Sequence, residues 1–337
     1  MKAQRLIAFG DQPRFQLQSV PDPLPGRGEV VVELRAAALN RRDPWVWTSP
    51  GYCELPVTLG SDGAGVITAI GTDVEGLMTG DEVVFDPTLG WGASEEAPGP
   101  HFDILGAPVD GTFAEQVVVP AANIAPKPAH LTWTEAAALN LGGLTAWRAT
   151  VTCARVAPGR TVLVTGAGSG VSTFAIQIAA ALGAHVYVTS STAEKIERAR
   201  ALGALGGVSY RDPEWPDRLI DLAGGELDAA IDSYGGPSWE GALRALRPGA
   251  TLVSFGDTSG PTSTVTTAEV YWRWRAIRGT SMGSPREYRA MLAHVESADW
   301  RPVIDSVHPL EDLDEAARRL DTPDRFGKVV LTMDPEH

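Results

Sequence analysis

Apolar residues recur in two different rhythms along the chain. Up to about residue 122 they come in short runs, "EVVVELRAAAL", "VTLGSDGAGVITAIG", "DEVVFDP" and "TFAEQVVVP", broken at close intervals by Gly and Pro. That spacing predicts short strands in a barrel- or sandwich-like domain. The stretch from Asp86 to Asp110 has Gly and Pro but no periodicity, and reads as a long surface loop.

From about residue 123 strand runs alternate with helical ones, the pattern of a parallel sheet covered on both faces. "TVLVTG", "HVYVTS", "GVSY", "LDAAIDSYG", "ATLVSFG" and "AIRGTSM" predict six strands, enough for two mononucleotide-binding halves. The helix "VSTFAIQIAAALG" between the first two places Val171, Ala175, Ile178, Ala179 and Leu182 on one face, and Gly183 stops it. Ser191 with Glu194 predicts a capping box opening the next helix, "AEKIERARALG". Further helices are expected at "EWPDRLIDLAGG", "PSWEGALRALRPG" and "TTAEVYWRWR". The tail ends in a strand-like "GKVVLTM" that folds back onto the first domain. The expected division is therefore 1–122 plus 285–337, and 123–284. No repeat of 20–50 residues is visible.

Composition narrows the partners. The 337 residues carry a net charge of −14, which argues against nucleic acid, because phosphate backbones call for a basic surface. An anionic cofactor stays possible, since local backbone N–H groups outweigh a global field. Two cysteines, Cys53 and Cys153, make no disulfide framework, and "MKAQRLIAFGDQPRF" lacks the apolar core of a signal peptide. No run approaches a membrane span. A cytoplasmic protein is expected.

The candidate chemistry starts at "VTGAGSGVSTF". A strand, a glycine turn and a helix point backbone N–H groups at one spot, where the helix dipole adds positive charge. Gly166 supplies the unusual turn angles, while Gly168 and Gly170 let a pyrophosphate approach. Ser169, Gly170 and Val171 open the helix, and Ser172 stands where a third close-packing glycine is expected. The alternative is a glycine turn with no ligand. An acid at the end of the second strand would bind a free ribose 2′-hydroxyl. Here Ser190 and Ser191 occupy that place, with Lys195 one helical turn on. Hydroxyls and an ammonium suit a 2′-phosphate, hence NADP(H); otherwise Lys195 is a solvated helix lysine.

Several segments in register resemble the medium-chain dehydrogenase/reductase superfamily, in its zinc-independent quinone oxidoreductase branch: "AAALNRRD", "LGSDGAGVI", "AALNLGGLTAW", "VLVTGAGSGV", "LVSFG" and "GKVVL". The resemblance covers almost the whole chain and implies an α/β fold: a Rossmann-type doubly wound parallel sheet plus a β-rich GroES-like catalytic domain. The zinc-dependent members carry a Cys where this chain has Asn40, and His-Glu where it has Ser61 and Asp62. Asp43 and Asp62 alone are a poor zinc set, and the loop at 86–110 lacks the four cysteines of a structural zinc lobe. His101 in that loop reads as a surface residue. No metal site is expected.

The resemblance implies hydride transfer from NADPH to a quinone or α,β-unsaturated carbonyl, with Asn40 and Tyr52 as catalytic residues. Asn40 would hydrogen-bond the substrate oxygen, and Tyr52 would orient it or donate a proton. Trp45 would stack on a flat acceptor. Thr145, Tyr210 and Phe255 join the turn residues as cofactor contacts. Each has a plainer reading: Asn40 as a turn residue, Tyr52 as a pocket wall, Asp43 as an ion-pair partner of Arg41 or Arg42, Cys53 as a small hydrophobe. Trp272 and Trp274 read as helix packing or a subunit contact, and a homodimer is expected. Two other functions remain open: an alcohol dehydrogenase-like or enoyl/acrylyl-CoA reductase, and a non-catalytic dinucleotide-binding protein.

Overall fold

The computed structural model describes residues 1–333. The chain divides into two compact units, Met1–Gly142 with Ser284–His337, and Gly143–Gly283. The expected boundary near residue 122 falls some twenty residues early. Segment 124–126 is a strand of the first unit, and a helix rather than a linker carries the chain into the second.

The first unit opens with β1 (Lys2–Ala8), β2 (Arg14–Ser19), β3 (Glu29–Ala38), α1 (Arg42–Trp47), β4 (Val57–Thr58) and β5 (Asp62–Ile70). It continues with β6 (Glu82–Phe85), β7 (Thr88–Leu89), β8 (Asp103–Ile104), β9 (Gln116–Pro120), β10 (Ile124–Pro126) and α2 (Trp133–Trp147). "VTLGSDGAGVITAIG" forms two strands, not one. Gly60 between β4 and β5 has φ +96°, and a Cβ there would lie 2.5 Å from the Phe113 ring. β3 is the hub of the larger sheet. It pairs antiparallel with β5 along most of its length, with β9 over its first half and with the C-terminal strand over its last residues.

The stretch 86–110 is not the plain surface loop its composition suggests. β7 and β8 pair antiparallel, and Trp91, Leu105 and Ala107 are buried. Trp91 meets Phe102 edge-on at 5.7 Å, and Ser284 Oγ donates to Glu95 at 2.6 Å. Its order comes from these few anchors, which have no periodicity to detect. His101 is exposed, as expected.

The second unit runs β11 (Thr161–Val164), α3 (Gly170–Ala181), β12 (His185–Ser190), α4 (Ala193–Ala201), β13 (Ala204–Ser209), α5 (Trp215–Ala223) and β14 (Leu227–Asp232). α6 (Ser238–Ala245), β15 (Leu246–Ser254), α7 (Thr267–Tyr271) and β16 (Ala276–Gly279) complete it. All six strands are parallel, in the order β13-β12-β11-β14-β15-β16. This is the doubly wound Rossmann order, with the strand order reversing between β11 and β14. α3 is buried more widely than one stripe, because Phe174 and Ile176 are enclosed as well as Ala175, Ile178 and Ala179. The cap of α4 is Thr192, whose hydroxyl accepts the Lys195 N–H, not the expected Ser191. α7 covers only five residues, so "YWRWR" is mostly outside a helix.

The chain then returns to the first unit as α8 (Pro285–Ser297), β17 (Ile304–Pro309), α9 (Leu313–Leu320) and β18 (Lys328–Thr332). Ser284 and Glu287 form a true capping box on α8, which the sequence reading missed. β18 pairs antiparallel with the end of β3, so the tail does rejoin the first domain. Among the described residues no helix is long and apolar enough to cross a membrane.

Candidate functional site

In the first unit, sheet register assembles the substrate-side candidates. Asn40 follows β3, Asp62 opens β5 opposite Ala38, and Lys328 opens β18, where Val330 faces Ala38. Three neighbouring strands thus bring residues 40, 62 and 328 to one place. Asp62 is fully buried, Lys328 3% and Asn40 6% exposed. Lys328 Nζ donates to Asn40 Oδ1 at 2.6 Å and to Asp62 Oδ2 at 2.9 Å. Asn40 Nδ2 donates to Asp62 Oδ2 at 3.0 Å, and the Leu141 N–H to Asp62 Oδ1 at 2.7 Å. Burying an ion costs several kcal/mol unless it is paired, and here each charge answers the other (about that size).

This donor set does not fit a zinc ion. Both oxygens of Asp62 already accept hydrogen bonds, Asn40 Oδ1 faces an ammonium, and Ser61 Oγ donates to the Leu105 carbonyl at 2.6 Å. A dication at the three family positions would stand beside the fixed charge of Lys328, with no thiolate or imidazole among those three residues.

Asp43 does not pair with Arg41 or Arg42. Arg41 reaches Asp321, and Arg42 Nη2 donates to the Ala107 carbonyl at 2.6 Å. Asp43 is fully buried and takes the Asn40 backbone N–H at 2.7 Å, and its Oδ1 has no hydrogen-bond partner. Burial pushes its carboxyl up to about 6. The strap from Asp43 to the Asn40 N–H fixes the backbone from which the Asn40 side chain hangs.

Tyr52 is 37% exposed and meets Trp45 edge-on, ring centres 4.8 Å apart. Arg42 Nη2 lies 3.3 Å from its oxygen, so the phenol accepts from the guanidinium and keeps its own hydrogen to donate. Beside it, burial raises the Cys53 thiol, which favours the inert small-hydrophobe reading over a redox role.

In the second unit the glycine turn links β11 to α3. Gly166 has φ +64°, and a Cβ there would sit 2.8 Å from the Tyr234 ring. Ser169 caps α3 by taking the Ser172 N–H at 3.1 Å. Ser172 is fully buried and donates to the Thr165 carbonyl at 2.8 Å, so its hydroxyl ties helix to strand where a third glycine was expected. The first-turn N–H groups of α3, at Gly170 and Val171, have no intrahelical acceptor by construction.

Ser190 ends β12 and is buried, and its carbonyl accepts the Tyr210 N–H at 3.1 Å. Tyr210 shares a hydroxyl contact of 3.2 Å with Tyr234, whose ring lies over Gly166. The turn is therefore contiguous with Ser190 and Tyr210, the residues expected at the ribose, through Tyr234. Lys195 stands half-buried in the first turn of α4. Phe255 follows β15, its N–H on the Asp232 carbonyl at 3.1 Å, and Thr145 is buried in α2.

Three residues escaped the sequence reading. Lys328 and Tyr234 are two; the third is Asp232, a buried carboxylate at the end of β14. It accepts from Thr165 Oγ1 (2.8 Å), Ser238 Oγ (2.9 Å), the Gly235 N–H (2.8 Å) and Trp239 Nε1 (3.0 Å). Its place at the strand-order reversal was the available signal.

A Rossmann sheet with such a glycine turn, carried on one chain with a β-rich unit, defines the class of dinucleotide-binding oxidoreductases. Residues 26–129 match the alcohol dehydrogenase GroES-like domain and residues 170–297 the zinc-binding dehydrogenase domain. The zinc-type alcohol dehydrogenase-like protein YogA of Leptosphaeria maculans is 35% identical, covering 94% of each chain. The quinone oxidoreductase of Pseudomonas aeruginosa is 29% identical over 98% of this chain and 99% of its own. A solved NAD-dependent alcohol dehydrogenase is 41% identical, with a TM-score of 0.94, over 99% of this chain and all of the other. The chain belongs to the medium-chain dehydrogenase/reductase superfamily, with the GroES-like and Rossmann domains expected of it.

Proposed function

We propose that the protein reduces quinones or α,β-unsaturated carbonyls with NADPH and needs no zinc. One observation carries the reading: where the resemblance puts the metal ligands of zinc-dependent members, this chain has Asn40, Ser61 and Asp62, and the buried amide of Asn40 and carboxylate of Asp62 are satisfied by each other and by the Lys328 ammonium. Without a Lewis acid to stabilise an alkoxide, an acceptor that delocalises its own charge is the easier substrate. NADPH, when bound, would supply the hydride, and an acceptor of this kind would carry the resulting charge on its oxygen. The remaining Asn40 amide N–H donates to that oxygen, Tyr52 delivers the proton from its uncommitted hydroxyl, and Trp45 offers a flat ring for a flat acceptor.

The turn fits a dinucleotide, since α3 starts at Gly170 directly after it and the first-turn N–H groups of Gly170 and Val171 have no intrahelical acceptor. Gly166, Ser169, Gly170 and Val171 would hold the pyrophosphate. Ser190, Lys195 and Tyr210 would hold the 2′-phosphate, and Thr145 and Phe255 would contact the rest. The absence of an acid at the end of β12 favours NADP(H) over NAD(H). Lys195→Ala is expected to weaken NADPH about tenfold and leave NADH unchanged, one charge-assisted contact being worth about 1.5–3 kcal/mol. Fluorescence titration with both nucleotides checks this; equal weakening of both would overturn the assignment.

A second reading is an NAD-dependent alcohol dehydrogenase, favoured by the 41%-identical solved structure of that name. NADH bound in preference to NADPH, with alcohol oxidation, would support it. We further propose a homodimer, formed through the edge strand β16.

A further inference from the structure

We propose that Lys328 is a positioning residue that locks the Asn40 amide in the one orientation that leaves an N–H for the acceptor. The inference rests on the role given to Asn40 above, and concerns a residue at the other end of the chain.

An asparagine amide is nearly symmetric in shape, and left alone it can present oxygen or nitrogen to the same neighbour. Here its two neighbours forbid that. An ammonium has only donors, so it must meet Oδ1; an ionised carboxylate has only acceptors, so it must meet Nδ2. Lys328 Nζ lies 2.6 Å from Asn40 Oδ1, and Asp62 Oδ2 lies 3.0 Å from Asn40 Nδ2. The amide spans a cation and an anion that are themselves 2.9 Å apart, and a flip would break both contacts.

What is left is decided by valence. One Nδ2 hydrogen is committed to Asp62 and the other is not. The cation on Oδ1 draws charge through the amide and makes the second N–H a stronger donor. Asp62 is in turn held by the Leu141 N–H at 2.7 Å, and the Asn40 backbone by Asp43.

The fold goes to some trouble to deliver this lysine. Gly327 before it has φ +115°, and a Cβ there would come within 2.4 Å of the Val303 carbonyl. The Lys328 N–H binds that same carbonyl at 2.9 Å, and the Leu39 N–H binds the Val329 carbonyl at 3.0 Å, fixing the register beside Asn40. A lysine wanted only to neutralise Asp62 need not also touch Asn40.

The test is a double-mutant cycle in the full-length protein, read as NADPH-dependent reduction of an enone. Asn40→Ala and Lys328→Met are each expected to lower kcat about 10²-fold, the usual loss for one oxyanion donor. KM and NADPH affinity should stay within about threefold for Lys328→Met, because the lesion is in orientation. In the Asn40→Ala background Lys328→Met should cost no more than about threefold further. Wild-type kcat in Asn40→Ala would sink the role of Asn40 itself. Loss in Asn40→Ala with wild-type kcat in Lys328→Met, or full additivity of the two, would sink the present inference alone. Because Lys328→Met leaves Asp62 uncompensated, Lys328→Met/Asp62→Asn is measured beside it. That pair is neutral and keeps an acceptor for the Leu141 N–H; the same loss of kcat is expected, and wild-type kcat would overturn the inference.

Discussion

At the scale of single residues, burial and valence set the chemistry. Asp43 makes no direct ion pair among the described residues, and desolvation outweighs the Asn40 N–H and the pull of Arg42 and Lys328, raising its carboxyl to about 6, above its unfolded value. A raised carboxyl favours folding while it is protonated. That contribution is complete below pH 3.8 and is lost as pH rises through about 6. The loss amounts to about 3 kcal/mol. Asp43→Asn keeps an acceptor for the Asn40 N–H and never ionises. Its stability relative to wild type should therefore rise by roughly that amount from pH 4 to pH 8. Urea unfolding at both pH values measures it, and a constant difference would contradict the assignment. Asn40, Ser61 and Asp62 were legible as departures from a metal-ligand pattern. Lys328 was not, because 288 residues separate it from Asn40 and only sheet register brings them together.

At the scale of elements, the Rossmann strands and most of their helices were legible because each carries its own period, and α3, α4 and α5 are stopped by Gly183, Gly203 and Gly224. The end of α7 was not: tertiary packing, not propensity, decides where such a short helix breaks. Nor was the order of segment 86–110, which hangs on isolated anchors such as Trp91 and the Glu95–Ser284 contact. The glycine turn makes the sharpest prediction here. Gly166→Ala forces a left-handed alanine into the Tyr234 ring. The left-handed conformation alone costs about 1–2 kcal/mol. Melting should fall by a few degrees, and calorimetric NADPH affinity should drop at least tenfold, on the order of one lost phosphate contact. Unchanged NADPH affinity would mean that the turn is not the cradle.

At the scale of the molecule, β16 is a sheet edge with unpaired backbone groups, and Tyr271, Trp272 and Trp274 before it are 60%, 68% and 78% exposed. An open edge beside three exposed aromatics is the liability that a two-fold partner removes. Light scattering should give twice the 35.7 kDa chain mass, and Trp272→Glu/Trp274→Glu should give a monomer with native circular dichroism. A wild-type monomer would refute the pairing.

The central claim is that hydride reaches an electron-poor acceptor with Asn40, Ser61 and Asp62 at the positions of the metal-ligand pattern and Lys328 bound to Asn40 and Asp62. The direct measurement is NADPH oxidation at 340 nm with a quinone and enone panel, on protein dialysed against a strong zinc chelator and then assayed with and without added zinc. The account predicts turnover of at least one acceptor after chelation, and no gain from zinc. Activity that disappears on chelation and returns with stoichiometric zinc would contradict it.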